Sequence, residues 1–296
     1  MELPITLGHS ESWTVLGLLE RGSEVLLARG FEEAHLHAEL LLTYALGIST
    51  HQLLAHPERA IRAGEADAFW RLLARRLTHE PLQYIVGETE FMGIPILVDR
   101  RVLIPRPETE ILVEQAANWL GSRGRSSLRV LDVGTGSGCI AIALARSSPQ
   151  SDIVGLDISS DALAVAGLNV ARQQITSVRL VCGDIFADPL PGEMFDCIVA
   201  NPPYVTAADY EQLQPEVRDF EPRIATTDGA DGLRFARRIA GFAADRLGGG
   251  GSLFMEIGFG LRRQVSQIVR DAGLSDISVF PDLGGIDRVV SAKRPE

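Results

Sequence analysis

The chain has 296 residues, 46% of them hydrophobic and 23% charged, and a formal net charge of −11. This is the balance of a soluble globular protein built as one large domain or a small and a large one, and its acidity argues against broad nucleic-acid binding, which needs a basic footprint to displace counterions. Three cysteines (Cys139, Cys182 and Cys197) without CxxC spacing exclude a disulfide framework or zinc site, and their apolar surroundings predict buried thiols.

Met1-Glu2-Leu3-Pro4 lacks the basic and apolar stretches of a leader, and the apolar run Cys139 to Ala145 is too short to cross a bilayer. A reduced, cytoplasmic protein without membrane association is expected. Residues 11 to 80 carry helical periodicity: Leu16, Leu19, Leu26 and Leu27, then Leu36, Leu40, Leu41 and Tyr44, with Gly30 and Gly47 as stops. Further helices are predicted at Gln52 to Ala55 and Ala66 to Leu77, the latter stopped by Pro81. Four to five helices would make a small N-terminal bundle, residues 1–81. Tyr84-Ile85-Val86, Glu90-Phe91 and Ile94 to Val98 read as short strands around Gly87 and Gly93, a β-hairpin linker over 82–105. Pro105-Arg106-Pro107-Glu108-Thr109-Glu110 opens a helix to about Leu120.

Within a domain expected over 106–296, strands and helices alternate from Arg129 on. Seven strands are predicted: Arg129 to Val133, Ile153 to Asp157, Arg179 to Cys182, Cys197 to Ala200, Ser252 to Ile257, Ile277 to Phe280 and Val289 to Ala292. Helices fit 138–146, 160–173, 231–247 and 260–272. Apolar strands alternating with helices predict an α/β fold: a Rossmann-like, doubly wound, mostly parallel seven-stranded sheet, its last strands pairing antiparallel at one edge. Gly248 to Gly251 reads as a flexible turn before a strand.

Four motifs carry chemistry. Gly134-Thr135-Gly136-Ser137-Gly138 joins an apolar strand to an apolar helix. Its glycines let a ligand approach the backbone, and the helix start offers free N–H groups. Asp157 ends the next strand, where an acidic side chain can accept from both hydroxyls of a ribose; capping the following helix is the competing role. Asp184 ends the third strand beside Ile185, placed to accept from an adenine amino group or to serve as an ordinary strand-end aspartate. Asn201-Pro202-Pro203-Tyr204 follows the fourth strand, at the end where open α/β sheets bind ligands. The prolines hold Asn201 and Pro202 extended, so the Asn201 side-chain oxygen and a neighbouring carbonyl can accept both hydrogens of one planar NH2 group, with Tyr204 able to stack on it. All six histidines precede residue 80, so the later region has no histidine base; the single lysine, Lys293, excludes a Gly-Lys-Ser/Thr phosphate loop.

With the glycine loop, the Asn-Pro-Pro-Tyr motif, Ile104 to Glu110, Pro81 to Ile85 and the helical bundle together, the chain resembles the HemK/PrmC-type peptide chain release factor glutamine N5-methyltransferases from about residue 12 to 293. The resemblance implies a class I methyltransferase domain using S-adenosyl-L-methionine, with S-adenosyl-L-homocysteine as product and no metal. It places the cofactor over Gly134, Thr135, Gly136, Ser137 and Gly138, its ribose on Asp157 and its adenine near Asp184 and Ile185. Ile185 stands where some relatives carry an aromatic. Asn201 would touch cofactor and target, with Pro202, Pro203 and Tyr204 completing the reactive site and Arg106 and Glu108 shaping the pocket. The implied target is the Gly-Gly-Gln glutamine of class 1 release factors, docked with help from the bundle by a monomeric enzyme. Glu256 is weighed as an assisting or structural group. Alternatives are methylation of a ribosomal-protein glutamine or of an amino group on DNA or RNA, a nicotinamide-dependent dehydrogenase, and a binding module without catalysis.

Overall fold

The computed structural model describes residues 12–124 and 127–296; the reading of Met1 to Pro4 lies outside the described residues. The chain divides into two compact units, one ending at Val86 and the other beginning at Gly87.

The first unit is helical. A short strand β1 (Trp13–Thr14) leads into α1 (Val15–Leu27), whose first turn is capped by the Thr14 hydroxyl accepting from the Gly17 N–H. There follow α2 (Ala34–Leu46), ended by Gly47 in the left-handed conformation, and α3 (Thr50–Ala55), begun by a Ser49/Gln52 capping box. Strand β2 (Ala60–Ile61) pairs antiparallel with β1, and α4 (Ala63–Arg76) and α5 (Leu82–Val86) complete the unit. Leu18, Leu26, Leu41, Leu42, Phe69 and Leu73 fill its core. Gly22 lets α4 approach α1, since a Cβ there would lie 2.5 Å from the Phe69 ring.

Two expectations change here. Leu36, Leu40 and Tyr44 mark α2 as a helix but face outward; Ala38, Leu41 and Leu42 are its buried side. Apolar residues surround α2, so periodicity alone does not select the inward face. Tyr84-Ile85-Val86 is a helical turn, not a strand. Pro81 starts it, the N–H groups of Tyr84 and Ile85 donate to the Pro81 carbonyl, and Ile85 packs into the bundle core.

The second unit opens with a hairpin of β3 (Glu88–Phe91) and β4 (Ile94–Leu97), joined by Met92 and Gly93, both at positive φ. Next come α6 (Thr109–Ser122), β5 (Arg129–Val133), α7 (Cys139–Ser147), β6 (Asp152–Asp157), α8 (Ser160–Arg172), β7 (Val178–Cys182) and β8 (Phe195–Ala200). Three short helices, α9 (Ala207–Tyr210), α10 (Pro215–Phe220) and α11 (Arg223–Thr226), occupy a stretch for which no element is predicted. The chain ends with α12 (Arg234–Arg246), β9 (Leu247–Glu256), α13 (Arg262–Asp271), β10 (Ser275–Pro281) and β11 (Asp287–Lys293).

Seven strands form one sheet in the order β10-β11-β9-β8-β5-β6-β7. From β9 to β7 all neighbours are parallel, and β11 runs antiparallel between β9 and β10, the expected edge. Leu131, Val133, Ile198, Ala200, Leu253 and Met255 pack against α12 and α13, so the alternate strand residues face the other layer, where α6, α7 and α8 lie side by side. Gly248 to Gly251 belongs to β9 rather than to a turn. A Cβ at Gly251 would lie 2.8 Å from the Asp196 carbonyl, and the β8–β9 register shifts here, so glycine serves close strand approach at a bulge. Cys139 and Cys197 are buried as expected, whereas Cys182, ending the edge strand β7, is exposed.

Strand β5, first of the sheet in the chain, has β6 and β7 on one side and β8 and β9 on the other. The chain therefore reverses its winding between β5 and β8, which opens a crevice beyond their C-terminal ends.

Candidate active site

A cleft open to solvent lies at this crevice. Its floor is the turn after β5. The N–H groups of Gly134 and Thr135 donate to the Leu156 carbonyl at 2.8 and 3.0 Å, drawing the turn toward β6. Gly134, Gly136 and Gly138 have φ of 75°, 54° and 82°, a conformation that costs other residues energy. A Cβ on Gly134 would meet nothing within 4 Å, so the turn leaves open space above its backbone. Gly138 works differently: it does not line the cleft, and a Cβ there would press on Ala166 of α8 at 3.2 Å.

Asp157 borders the cleft at the end of β6. One carboxylate oxygen accepts from the Gly136 N–H at 2.8 Å, the other from the Ser159 N–H at 2.9 Å. Burial nevertheless raises its pKa above the usual carboxylate range. Ser159 itself caps α8, so Asp157 does not serve as its N-cap. Behind the turn Asp132 is fully buried, accepts from the Thr135 hydroxyl at 2.6 Å and has its pKa pushed by burial up to about 7. Ile185 is buried and lines the wall. Asp184 does not line the cleft; it accepts from the Phe186 N–H at 2.9 Å and caps a 3-10 turn.

Asn201, directly after β8, and Pro203 form the opposite rim; Pro202 between them is buried and does not line the cleft. The Asn201 Nδ2 donates to the Thr109 Oγ1 at 3.0 Å. Thr109 in turn donates to the Glu256 Oε2 at 2.7 Å, and the Tyr204 hydroxyl lies 3.3 Å from the Glu256 Oε1 as donor. Glu256 ends β9 and is buried. The Tyr204 ring lies against Gly258, where a Cβ would come within 2.9 Å of the ring, and burial pushes its hydroxyl pKa up. Arg106 donates to the Glu221 Oε1 at 2.6 Å, while the other Glu221 oxygen accepts from the Ile104 N–H at 3.4 Å. This pair, buried at Glu221 and partly exposed at Arg106, ties the segment before α6 to the one between α10 and α11, where Pro222, Ile224 and Ala225 wall the cleft. Glu108 lies outside the cleft lining, 3.9 Å from Arg288.

The cleft thus joins an open glycine cradle, an acidic side chain and apolar wall residues, a set that fits a nucleoside-bearing ligand, to an amide-bearing rim. Among the described residues no cluster of three or more His, Cys, Asp or Glu is placed to hold a metal ion, and no helix is long and apolar enough to cross a membrane.

Comparison with known proteins agrees with this geometry. Residues 17–87 match the family described as PrmC N-terminal domain, and residues 108–216 the methyltransferase small domain. The release factor glutamine methyltransferase of Geobacter sulfurreducens is 42% identical over 283 residues, covering 96% of this chain and 98% of that one. The chain belongs to the release factor glutamine methyltransferase family. The enzyme of the same name from Bordetella pertussis is 43% identical over 255 residues, covering 86% of this chain and 93% of that one. A crystal structure of a methyltransferase from Pyrococcus furiosus, 18% identical, superposes with a TM-score of 0.50 over 70% of this chain and 91% of that one, which shows the shared methyltransferase fold.

Within this glutamine methyltransferase, the structure brings Gly134, Thr135, Gly136, Ser137, Asp157, Ile185, Arg106, Asn201 and Pro203 to one cleft. It sets Gly138, Asp184, Glu108, Pro202 and Tyr204 behind or beside that lining. Sequence reasoning passed over Thr109, Glu221 and the Pro222–Ala225 wall. Thr109 stood within the singled-out Pro-Arg-Pro-Glu-Thr-Glu segment, and a lone hydroxyl at a helix start offers no further signal.

Proposed function

We propose that the chain transfers the methyl group of S-adenosyl-L-methionine to the side-chain amide nitrogen (N5) of the glutamine in the Gly-Gly-Gln motif of class 1 peptide chain release factors. The observation that carries this reading is Asn201 on the rim of the same cleft as Gly134, Gly136 and Asp157, at the ends of the neighbouring strands β8, β5 and β6. Family membership supplies the substrate class.

When bound, the cofactor supplies an electrophilic methyl group on a positively charged sulfur. The glycine turn leaves room for its backbone-hugging part, Asp157 accepts from its ribose, and Ile185 lies along its base. Asp184 is held by the Phe186 N–H and serves the wall chiefly by fixing Ile185. The Asn201 side-chain oxygen and the Pro202 carbonyl accept the two N–H groups of the target amide. That pair orients the nitrogen and raises its electron density, which an amide needs because its lone pair is delocalised into the carbonyl. Catalysis rests on positioning and electrostatics, with no side-chain nucleophile. The proton leaves the methylated nitrogen to water. The protein is a monomer of the reduced cytoplasm, and the helical unit contributes to docking the release factor.

The test uses the full chain, methyl-labelled S-adenosyl-L-methionine and a purified class 1 release factor, with the label located by mass spectrometry. Methyl on the Gly-Gly-Gln glutamine is expected, and Asn201→Ala should lower kcat by about 10²–10³-fold, the effect of removing one oriented polar group from such a site. Label on RNA, DNA or another protein instead would overturn the substrate. Cofactor binding without transfer to anything would favour a binding module.

A further inference from the structure

The hydroxyl of Thr109 has one hydrogen to give and lone pairs to accept. It lies 2.7 Å from a Glu256 oxygen and 3.0 Å from the Asn201 amide. A carboxylate accepts only, so the Thr109 hydrogen goes to Glu256 and Thr109 must receive a hydrogen from Asn201. The second Glu256 oxygen is likewise committed, to the Tyr204 hydroxyl at 3.3 Å. The end of the Asn201 amide that faces Thr109 is therefore NH2, and the oxygen is the end left for the cleft. Without Thr109 the two ends of the amide would be nearly equivalent in shape, and an NH2 turned outward would repel the target amide's own N–H groups.

We infer that Thr109 and Glu256 are positioning residues that fix which end of the Asn201 side-chain amide faces the cleft. This deepens the methyl-transfer reading and rests on it for its catalytic consequence. The three residues come from distant parts of the chain: Thr109 starts α6, Asn201 directly follows β8 and Glu256 ends β9, the strand beside β8. Thr109 and Glu256 are both 2% exposed, so water does not compete for the relay. Tyr204 closes the far end, held by Gly258, whose missing Cβ leaves room for the ring.

Two measurements test this. In the first, Thr109→Val, which keeps shape but can neither accept nor donate, should lower kcat for release-factor methylation about 100-fold. Cofactor Kd should stay within about threefold, and Thr109→Ser, which restores the hydroxyl, should recover kcat to within about threefold. An undiminished kcat in Thr109→Val, or a Thr109→Ser as impaired as the valine variant, overturns the inference. The second measurement needs no turnover. The chain has three asparagines (Asn118, Asn169 and Asn201), so ¹⁵N on asparagine side chains gives three NH2 signals. The Asn201 pair, identified by its loss in Asn201→Ala, should show a nuclear Overhauser contact to the Thr109 side chain in the unsubstituted protein. Its absence there means that the amide lies the other way round, and the inference falls whether or not a release factor is the substrate. If the unsubstituted chain methylates no release factor while the contact is present, the substrate reading fails and the orientation stands.

Discussion

At the scale of single residues the site depends on where hydrogens sit. Glu256 is buried, and burial pushes its pKa up to about 7 against the pull of the Thr109 and Tyr204 hydroxyls and of Arg288 on β11; Glu108 at the start of α6 adds to the rise. Tyr204 keeps its proton throughout, since burial and the neighbouring carboxylate raise its own pKa. Once protonated, Glu256 can donate to Thr109, and the relay toward Asn201 inverts. Turnover should therefore fall as pH drops through about 7, approaching tenfold per pH unit below it. Initial rates at saturating substrates from pH 5.5 to 8.5 check this, and a flat profile across that span would remove Glu256 from the site's chemistry. Asn201 itself was legible as a chemical group because two prolines and a preceding apolar strand surround it. What holds its amide was not, since a threonine and a glutamate 147 residues apart carry no local pattern that pairs them.

At the scale of elements the glycine turn is held as much from behind as by its own sequence. Asn169 on α8 is fully buried; its Oδ1 accepts from the Leu97 N–H at 2.7 Å, and its Nδ2 donates to the carbonyls of Leu97 and Ser137, each at 2.9 Å. One side chain thus ties the end of β4, α8 and the turn after β5 together. Asn169→Leu should strand these backbone groups and cost about 3 kcal/mol, with a weaker cofactor affinity as the turn loosens; urea denaturation and calorimetric titration measure both. Gly232 is a second such point. Its φ is 76°, and a Cβ would lie 2.4 Å from the Tyr204 carbonyl oxygen. Gly232→Ala should cost about 1–3 kcal/mol in a thermal melt and displace the Asn-Pro-Pro-Tyr segment, lowering turnover further than the stability loss alone explains. Elements with a long period were readable, as the central strands and the long helices show. The short helices α9 to α11 were not, because helices of four to six residues complete too few turns to display a period.

At the scale of the whole molecule, two buried carboxyl groups bear on stability. Asp132 and Glu256 each titrate near 7 in the folded protein, chiefly through burial, against ordinary values of 3.8 and 4.5. An unfolded chain releases these protons near pH 4, whereas the folded one keeps them until about 7. The folded state therefore binds more protons in that window, and the contribution of both groups to stability is present at acid pH and lost as pH rises from about 4 to 7. Asp132→Asn should flatten the fall of melting temperature across this range. A melting profile as steep as that of the unsubstituted chain would show that Asp132 does not titrate there.

Strand and helix alternation, the glycine turn, the Asn-Pro-Pro-Tyr motif and the family resemblance were all determined by the sequence by itself. Each is a local code, in which periodicity or turn chemistry within about ten residues suffices. Tertiary structure decided which groups serve the cleft and which only support it. The sheet order sets β8 beside β5 and β9, and so brings Thr109, Asn201 and Glu256 together; Asp184 and Glu108, though motif residues, turn to a backbone N–H and to Arg288. The physical reason is that a hydrogen bond needs atoms about 3 Å apart, and only the packing of distant elements sets such distances.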